Sequence, residues 1–376
     1  MPGTVSGVRV STRFTPDLRA RLRESAETTA LTGAPDDEAL KELRASGLLA
    51  TAVPAEYGGA GGDAREVNRI VEELATVNPS VSIIAFQHFA VSARIAEWGT
   101  DEQKATLLPL LADGTCLAAS AWSEPGAGAA KQKLSSTGTR RPDGTWVLDG
   151  AKSFTTGASV ADLYLVLVQT EKPEDEARRV YGATGQTFFL VTADNPGLVP
   201  DLSLDLAGMR GSATGFVTLR QCVVAATDRL GPEGHAPEII AGVRESGATL
   251  GAVAVGTAQA AFDLVVDHAE RRGLLERPTV RHRLADLATR LESARALVER
   301  AGARTSAAPG MTTLHSKLYA STVAEEICLD VARMLGSAGY VTSSRLNRLL
   351  ADARAVALMG PTNDLARELV AVTWQS

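Results

Sequence analysis

The sequence predicts an α+β fold that is mostly helical and divides into three segments. In the first and last segments, apolar residues recur at every third or fourth position, which is the period of a helix with one buried face. The middle segment instead contains short apolar runs separated by turn residues, which is typical of β-strands. The predicted domains are helical over 1–117, β over 118–232 and helical over 233–376.

The composition limits the classes of function. Of the 376 residues, 45% are hydrophobic and 22% are charged, as in ordinary globular proteins with more than one core. The net charge of −6, without a Lys/Arg-rich stretch, argues against a nucleic-acid partner. Runs of about eighteen apolar residues are absent, and the N-terminus lacks the apolar stretch of a signal peptide. We therefore expect no membrane partner and a cytoplasmic location.

Cysteine and histidine are too sparse for a disulfide framework or a metal centre. Cys116, Cys222 and Cys328 are odd in number and widely spaced, so we expect reduced thiols. The five histidines never occur at metal-ligand spacing. The sequence thus predicts no metal.

Individual elements can be placed from local patterns. Val67, Ile70, Val71 and Leu74 have helical spacing, a further helix is predicted from 84 to 98, and Asp101 is predicted to cap the next one. Strands are predicted at the apolar runs 147–148, 163–168, 188–191 and 216–219.

Small residues mark the start of the last segment. Glycines and alanines between 247 and 256 are predicted to lie in one helix, where their small side chains leave room for a ligand. We therefore predict a roomy cavity beside this helix.

Two hydroxyl-rich loops are the most informative feature of the chain. Residues 121–128 read Ala-Trp-Ser-Glu-Pro-Gly-Ala-Gly, and residues 152–157 read Lys-Ser-Phe-Thr-Thr-Gly. Each loop places short hydroxyl side chains beside a large aromatic residue. A planar heteroaromatic cofactor needs this combination, because it requires an apolar face to stack on and hydrogen-bond partners along the edge of its ring.

These loops resemble the flavin-binding loops of the acyl-CoA dehydrogenase family. Residues 208–214 and 335–340 match two further family motifs, in the same order, so the resemblance spans nearly the whole chain. It implies an N-terminal helical domain, a middle β-barrel or sandwich domain and a C-terminal four-helix bundle. It also implies FAD, in preference to FMN, as the cofactor.

The resemblance assigns roles to particular residues. Ser123 is implied to bind the pyrimidine edge of the flavin and Thr156 its reactive ring nitrogen, with Phe154 packed on the ring system. Gly336 is implied to lie near the diphosphate. The full set of residues implied to bind the cofactor is Trp122, Ser123, Phe154, Thr155, Thr156, Arg271, Gly336 and Thr362.

An oligomer is also implied. In the family an arginine from a neighbouring subunit, in the motif Arg-x-x-Phe-Gly, binds the adenine half of the cofactor. Here Arg271 is followed by Arg272, Gly273, Leu274 and Leu275, so the arginine is present without the Phe and Gly. We expect a homodimer or homotetramer whose contact with the cofactor differs in detail.

The sequence leaves more than one candidate for the general base. A dehydrogenase of acyl thioesters needs a carboxylate beside the α-carbon of its substrate, with a pKa raised by burial. Gly360 stands where most family members carry this Glu. Some members carry it on an earlier helix, where one alignment gives Glu245 and another gives Ser246. We predict Glu245 as the base, with Gly360 and Ser246 against the substrate.

The thioester contacts of the family are also reduced. Its Gly-Ser-Asp sequence after the Glu-Pro loop is replaced here by Gly128, Ala129 and Ala130. The sequence therefore predicts an FAD-dependent dehydrogenase that forms a C–C double bond in an acyl-CoA or acyl-carrier-protein thioester. An electron-transfer protein or O2 would accept the electrons. The alternatives are a reduced-flavin-dependent monooxygenase on the same fold, which needs no carboxylate base, and a non-catalytic scaffold.

Overall fold

The first third of the chain is helical. The computed structural model describes residues 13–127, 131–172, 181–341 and 343–374. Its first five α-helices are α1 (Pro16–Thr32), α2 (Asp37–Ala45), α3 (Ala64–Ala75), α4 (Pro79–Trp98) and α5 (Asp101–Ala112). Short 3-10 helices span Leu48–Ala52 and Ala55–Tyr57.

Side-chain caps define where these helices begin. Asp63 accepts hydrogen bonds from the amides of Arg65 and Glu66 at the start of α3. Thr100 and Gln103 form a reciprocal capping box at the start of α5. The predicted cap Asp101 is therefore wrong by one position: it is the first residue of the helix.

A mixed sheet forms the middle of the described chain. Its strands are β1 (Ala118–Ala121), β2 (Thr137–Arg140), β3 (Trp146–Thr155), β4 (Leu163–Gln169), β5 (Gln186–Thr192), β6 (Leu198–Asp201), β7 (Gly215–Val224) and β8 (Arg229–Leu230). A 3-10 turn spans Ala226–Asp228. The order is β6-β7-β3-β2-β4-β5-β8, with β1 parallel to β4. Residues 163–168 are all buried, as the continuous apolar run predicts.

The last third of the chain is again helical. It contains α6 (Ala236–Glu245), α7 (Gly251–Arg271), α8 (Pro278–Ala303), α9 (Pro309–Leu335), α10 (Arg345–Leu358) and α11 (Asn363–Ala371). Short 3-10 helices span Leu274–Glu276, Gly336–Tyr340 and Val372–Trp374. Helices α7, α8, α9 and α10 share one hydrophobic core with α3 and α4 of the first third.

The helix predicted across 247–256 begins only at Gly251. Gly247 has a left-handed backbone (φ 84°), which ends α6 and separates it from α7. The residues between them are held by Asn68 of α3, whose side chain donates to Gly247 O (3.0 Å) and accepts from Thr249 N (2.9 Å). The prediction of a single helix across 247–256 was therefore wrong, because the periodicity of small residues does not reveal a left-handed glycine.

No helix among the described residues is long and apolar enough to cross a membrane.

Candidate active site

The two hydroxyl-rich loops lie side by side at one edge of the sheet. Residues 122–124 follow the end of β1 at Ala121, whereas residues 152–155 form the last part of β3, so the second predicted loop is largely strand. A hydrogen bond from Ser153 N to Ser123 O (2.9 Å) joins them directly. Ser123 and Phe154, which are thirty-one positions apart in the chain, thus belong to one surface.

A buried ion pair fixes the two loops to each other. Lys152 Nζ lies 2.6 Å from Glu124 Oε1, and both side chains are fully buried. The carboxylate of Glu124 also accepts hydrogen bonds from Ser135 N (2.6 Å) and Ser136 N (3.1 Å). Sequence reasoning missed this pair, although Glu124 and Lys152 stand inside the two quoted motifs.

Electrostatics explains why this pair stays charged. Burial raises the pKa of Glu124, but the charge of Lys152 and the surrounding hydrogen bonds outweigh it, so the pKa lies below its ordinary value. Burial lowers the pKa of Lys152 to about 8, against the opposing charge of Glu124. Each charge is therefore stabilised by the other, and removing one side chain would leave the opposite charge buried without a counter-ion.

The aromatic residues of the loops offer surfaces to a planar ligand. Phe154 is 67% exposed and has a left-handed backbone (φ 52°), which is an uncommon conformation for a bulky residue. Trp122 packs on Phe188 with ring centroids 5.0 Å apart. Its buried Nε1 has no hydrogen-bond acceptor among the described residues. The exposed ring of Phe154 offers a face on which a planar ring such as a flavin can pack.

The hydroxyl groups of the second loop connect to the third motif. Thr156 Oγ1 accepts a hydrogen bond from Thr214 Oγ1 (3.2 Å), which in turn lies 2.7 Å from Ser212 Oγ. Gly157 N also donates to Ser212 O (3.0 Å). Thr155 Oγ1 is buried without a hydrogen-bond partner among the described residues. Residues 208–214 therefore support the loop that carries Phe154 and Thr156.

The 208–214 loop is held to the helical bundle by Asp352. This buried side chain on α10 accepts a hydrogen bond from Met209 N (2.5 Å). Burial raises the pKa of Asp352 to about 6 from its ordinary 3.8, against the opposing effects of the Met209 hydrogen bond and the charge of Arg348. Between pH 3.8 and about pH 6, the Asp352 carboxyl is therefore protonated in the folded protein and ionised in the unfolded chain.

Replacing Asp352 by asparagine should therefore change the pH dependence of stability. The stabilising effect of the protonated carboxyl is complete below about pH 4 and is lost as the pH rises through 6, which costs the wild type about 3 kcal/mol. We expect the stability of Asp352→Asn, relative to wild type, to rise by about this amount between pH 4 and 7. Urea unfolding at several pH values measures it. Asp286→Asn, on an exposed position of α8, is the control and should leave the pH profile unchanged.

The remaining residues implied to bind the cofactor lie on other elements. Gly336 is exposed, with φ 63°, directly after α9. Thr362 caps α11, since its side chain accepts from Leu365 N (3.3 Å). Arg271 is the exposed last residue of α7. Their contacts with a cofactor stay predictions.

Glu245 and Ser246 face different surroundings. Glu245 is exposed, and its carboxylate accepts a hydrogen bond from Gly310 N (3.1 Å) at the beginning of α9, where a helix N-terminus favours negative charge. Ser246 lines a mostly apolar cavity of about 110 Å³ between α3, α4 and α6. Other walls of this cavity are Phe86, Phe89, Ala90 and Val243. The structure therefore brings Ser246, and not Glu245, to the cavity.

A larger groove lies elsewhere. About 600 Å³ in volume and wide open to solvent, it runs along α8, α9 and α11 and is lined by Arg300, His315, Tyr319 and Arg367, among others. It contains none of the residues predicted to bind cofactor or substrate. We therefore do not place the active site there.

Gly360 has an unexpected neighbour. A Cβ atom at this position would lie 3.5 Å from the amine of Lys131, which is buried and donates a hydrogen bond to Tyr181 Oη (2.9 Å). Residues 128–130, where the thioester contacts of the family are reduced, lie outside the described residues. Sequence reasoning missed Lys131, although it directly follows that segment.

A second buried lysine holds the turn that contains Gly360. Lys317 Nζ on α9 donates to Pro361 O (2.8 Å) and Asn363 Oδ1 (2.7 Å), and lies 3.3 Å from the carbonyl oxygens of Ala357 and Met359. Burial, and to a lesser degree the charge of Arg367, lowers the pKa of Lys317 to about 7. The turn between α10 and α11 is thus held in place by a side chain from α9.

Comparison with known proteins decides the family. Models of the N-terminal, middle and C-terminal domains of acyl-CoA dehydrogenases match residues 17–115, 119–222 and 239–373. The chain belongs to the acyl-CoA dehydrogenase family. The family prediction is confirmed, and with it the α+β fold, the enzyme class of a flavin-dependent oxidoreductase, and FAD as cofactor.

Individual relatives of this acyl-CoA dehydrogenase family member cover nearly its full length. It is 32% identical to the cyclohexane-1-carbonyl-CoA dehydrogenase of Geobacter metallireducens, covering 94% of this chain and 93% of the relative. It is 31% identical to the L-prolyl-(peptidyl-carrier protein) dehydrogenase of Pseudomonas fluorescens, covering 87% of each. The solved butyryl-CoA dehydrogenase of Megasphaera elsdenii superposes with a TM-score of 0.85 and 26% identity, over 96% of this chain and 99% of that one. These relatives support the dehydrogenase prediction and do not favour the monooxygenase alternative.

Proposed function

We propose that this enzyme forms a carbon–carbon double bond in a small acyl thioester carried by CoA or by a carrier protein. The observation that supports the proposal is the direct hydrogen bond from Ser153 N to Ser123 O, which joins the segment of Ser123 to the segment that carries the exposed ring of Phe154. FAD, when bound, accepts the hydride from the β-carbon of the substrate. The protein binds and orients both partners.

The volume of the mostly apolar cavity is consistent with a substrate that carries a small acyl group. About 110 Å³ is room for a short, branched or cyclic acyl group, but not for a long extended chain. The lining is mostly apolar, and its polar members Asp63, Arg94 and Ser246 can orient the substrate. The three relatives are named for cyclohexane-1-carbonyl, prolyl and butyryl thioesters, which are all of this size class.

Carrier, electron acceptor and assembly belong to the same proposal. Gly128, Ala129 and Ala130 offer no side-chain donor to a thioester, which favours a carrier-protein substrate over a free CoA ester. We propose an electron-transfer protein as the electron acceptor, with O2 as the alternative. We propose a homodimer or homotetramer, which light scattering would measure.

An anaerobic titration tests the function. The FAD-loaded protein is mixed with butyryl, isovaleryl, cyclohexane-1-carbonyl and L-prolyl thioesters, each on CoA and on a carrier protein. Bleaching of the oxidised flavin absorbance by one of them supports the proposal and names the acyl group and carrier. If none bleaches it, while dithionite still does, the proposed function is wrong.

Filling the cavity should change substrate preference. Ala90→Leu adds three carbon atoms to a wall of a cavity of about 110 Å³. We expect at least a 10-fold larger fall in the rate of flavin reduction for the cyclohexane-1-carbonyl thioester than for the butyryl thioester, because a ring needs the lost width. Stopped-flow absorbance measures both rates. An equal fall for both thioesters would mean that the acyl group does not occupy this cavity.

A further inference from the structure

A buried arginine lines the mostly apolar cavity between α3, α4 and α6. Arg94 is 4% exposed, although arginine is rarely buried unless its charge is paired. It lies on the same face of α4 as Phe86 and Ala90, because these three lining residues follow each other at intervals of four positions. The lining therefore follows α4 for about 12 Å, from the ring of Phe86 to the guanidinium of Arg94.

The ion pair of Arg94 within the chain neutralises its charge incompletely. Among the described residues its ion-pair partner is Glu97, whose Oε2 lies 2.7 Å from Arg94 Nη1. The side chain of Glu97 is 48% exposed, so water screens much of its charge. Burial lowers the pKa of Arg94, and the charge of Glu97 offsets this effect only in part. A second negative charge inside the cavity would therefore stabilise the buried guanidinium.

The guanidinium of Arg94 can also donate more hydrogen bonds than the described residues accept. A guanidinium carries five N–H donors. The buried Nη1 has no hydrogen-bond acceptor among the described residues, because its contact with Glu97 lacks the alignment of a hydrogen bond. Buried donors are nearly always paired, so this one requires an explanation. A carboxylate is the acceptor that suits a guanidinium best, since its two oxygens can accept two parallel hydrogen bonds.

The acidic residue of the lining does not compete for Arg94. Asp63 is exposed, and its carboxylate accepts hydrogen bonds from the amides of Arg65 (3.0 Å) and Glu66 (3.1 Å) at the start of α3. Its other oxygen lies 3.0 Å from Nε of Arg65. The charge of Asp63 is thus already bound by its own helix. Among the described residues of the lining, Arg94 is the charged group that is buried.

We propose, on the basis of the proposed function, that Arg94 selects an acyl group that carries a carboxylate at its far end. The substrate class is then a short dicarboxylic acid, bound as a thioester through one carboxyl group and paired with Arg94 through the other. The apolar side chains of Phe86 and Ala90 contact the methylene groups between the two ends. Arg94 binds the substrate and takes no part in the transfer of the proton or the hydride.

Matched pairs of thioesters test this selection. Succinyl, glutaryl and adipyl thioesters are compared with 4-methylpentanoyl, 5-methylhexanoyl and 6-methylheptanoyl thioesters, in which an isopropyl group replaces the carboxylate. Each is prepared on the carrier that bleaches the flavin in the titration above. Anaerobic stopped-flow absorbance against thioester concentration gives a dissociation constant and a limiting rate of flavin reduction. We expect wild type to bind the best carboxylated thioester at least about 10-fold more tightly than its isopropyl counterpart.

Variants then identify the side chain that is responsible. In Arg94→Met, the dissociation constant of the carboxylated thioester should rise about 100-fold, while the limiting rate with the isopropyl counterpart stays within about threefold of wild type. The double variant Arg94→Met with Glu97→Gln should behave in the same way, since an unpaired Glu97 is not the cause. Arg244→Met removes a half-buried arginine of α6 that is not part of the lining, and it should keep the preference of wild type. FAD absorbance and thermal unfolding verify that each variant is folded.

Two outcomes overturn the selection by Arg94 and leave the proposed function standing. One is a wild-type enzyme that binds the isopropyl thioesters as tightly as the carboxylated ones, a comparison that needs no variant to fold. The other is a preference for the carboxylate that persists in Arg94→Met. If no thioester of either kind bleaches the flavin, the proposed function itself is wrong.

Discussion

Replacing Lys152 by methionine is expected to lower the free energy of unfolding by about 3–5 kcal/mol, because it leaves the carboxylate of Glu124 buried without its counter-ion. The same change should weaken FAD binding, since the pair joins the loop of Ser123 to the loop of Phe154. Urea unfolding of the FAD-free protein measures the first effect, and flavin fluorescence titration measures the second.

Two further variants separate the buried pair from a general loss of charge. Lys172→Met removes an exposed lysine and should change stability by less than about 0.5 kcal/mol. The double variant Glu124→Gln with Lys152→Met should recover part of the lost stability, because no unpaired charge remains. A loss below about 1 kcal/mol in Lys152→Met would mean that the pair behaves like a surface ion pair.

Replacing Phe154 by glycine should weaken FAD binding about 10- to 100-fold while leaving the stability of the FAD-free protein within about 1 kcal/mol of wild type. The ring is mostly exposed, so the fold loses little buried area with it. Glycine also removes the strain of a left-handed phenylalanine, which offsets the greater entropy that glycine gives to the unfolded chain. Fluorescence titration and urea unfolding measure the two quantities.

Phe154→Tyr is the matched control, because it keeps an aromatic ring on the same backbone. Its FAD affinity should stay within about threefold of wild type. If Phe154→Gly binds FAD as tightly as wild type does, the ring does not pack on the cofactor.

The broad plan of the fold could be predicted from the sequence because it rests on local patterns. The periodicity around Val67 and the apolar run at 163–168 each report the burial of one element. Element ends were harder to predict. Thr100, rather than Asp101, caps α5, and the left-handed Gly247 divides α6 from α7. Both depend on backbone angles that composition does not encode.

The candidate site could be predicted only in part. Motif resemblance led to Ser123 and Phe154, which the structure brings together. It gave no sign of the Glu124–Lys152 pair, because the pairing of two charges 28 positions apart depends on strand register. The choice between Glu245 and Ser246 also needed the structure, since neighbouring helical positions point about 100° apart.

The hydrogen bonds from Lys317 to the turn after α10 have a consequence for substitutions at position 360. Because a lysine from another helix holds the carbonyl oxygens on both sides of Gly360, the path of the backbone there does not depend on the side chain at position 360. Such a position can be exchanged without refolding its surroundings. Residue 360 is therefore a natural site for redesigning the reaction, because a new side chain there does not also have to rebuild the turn.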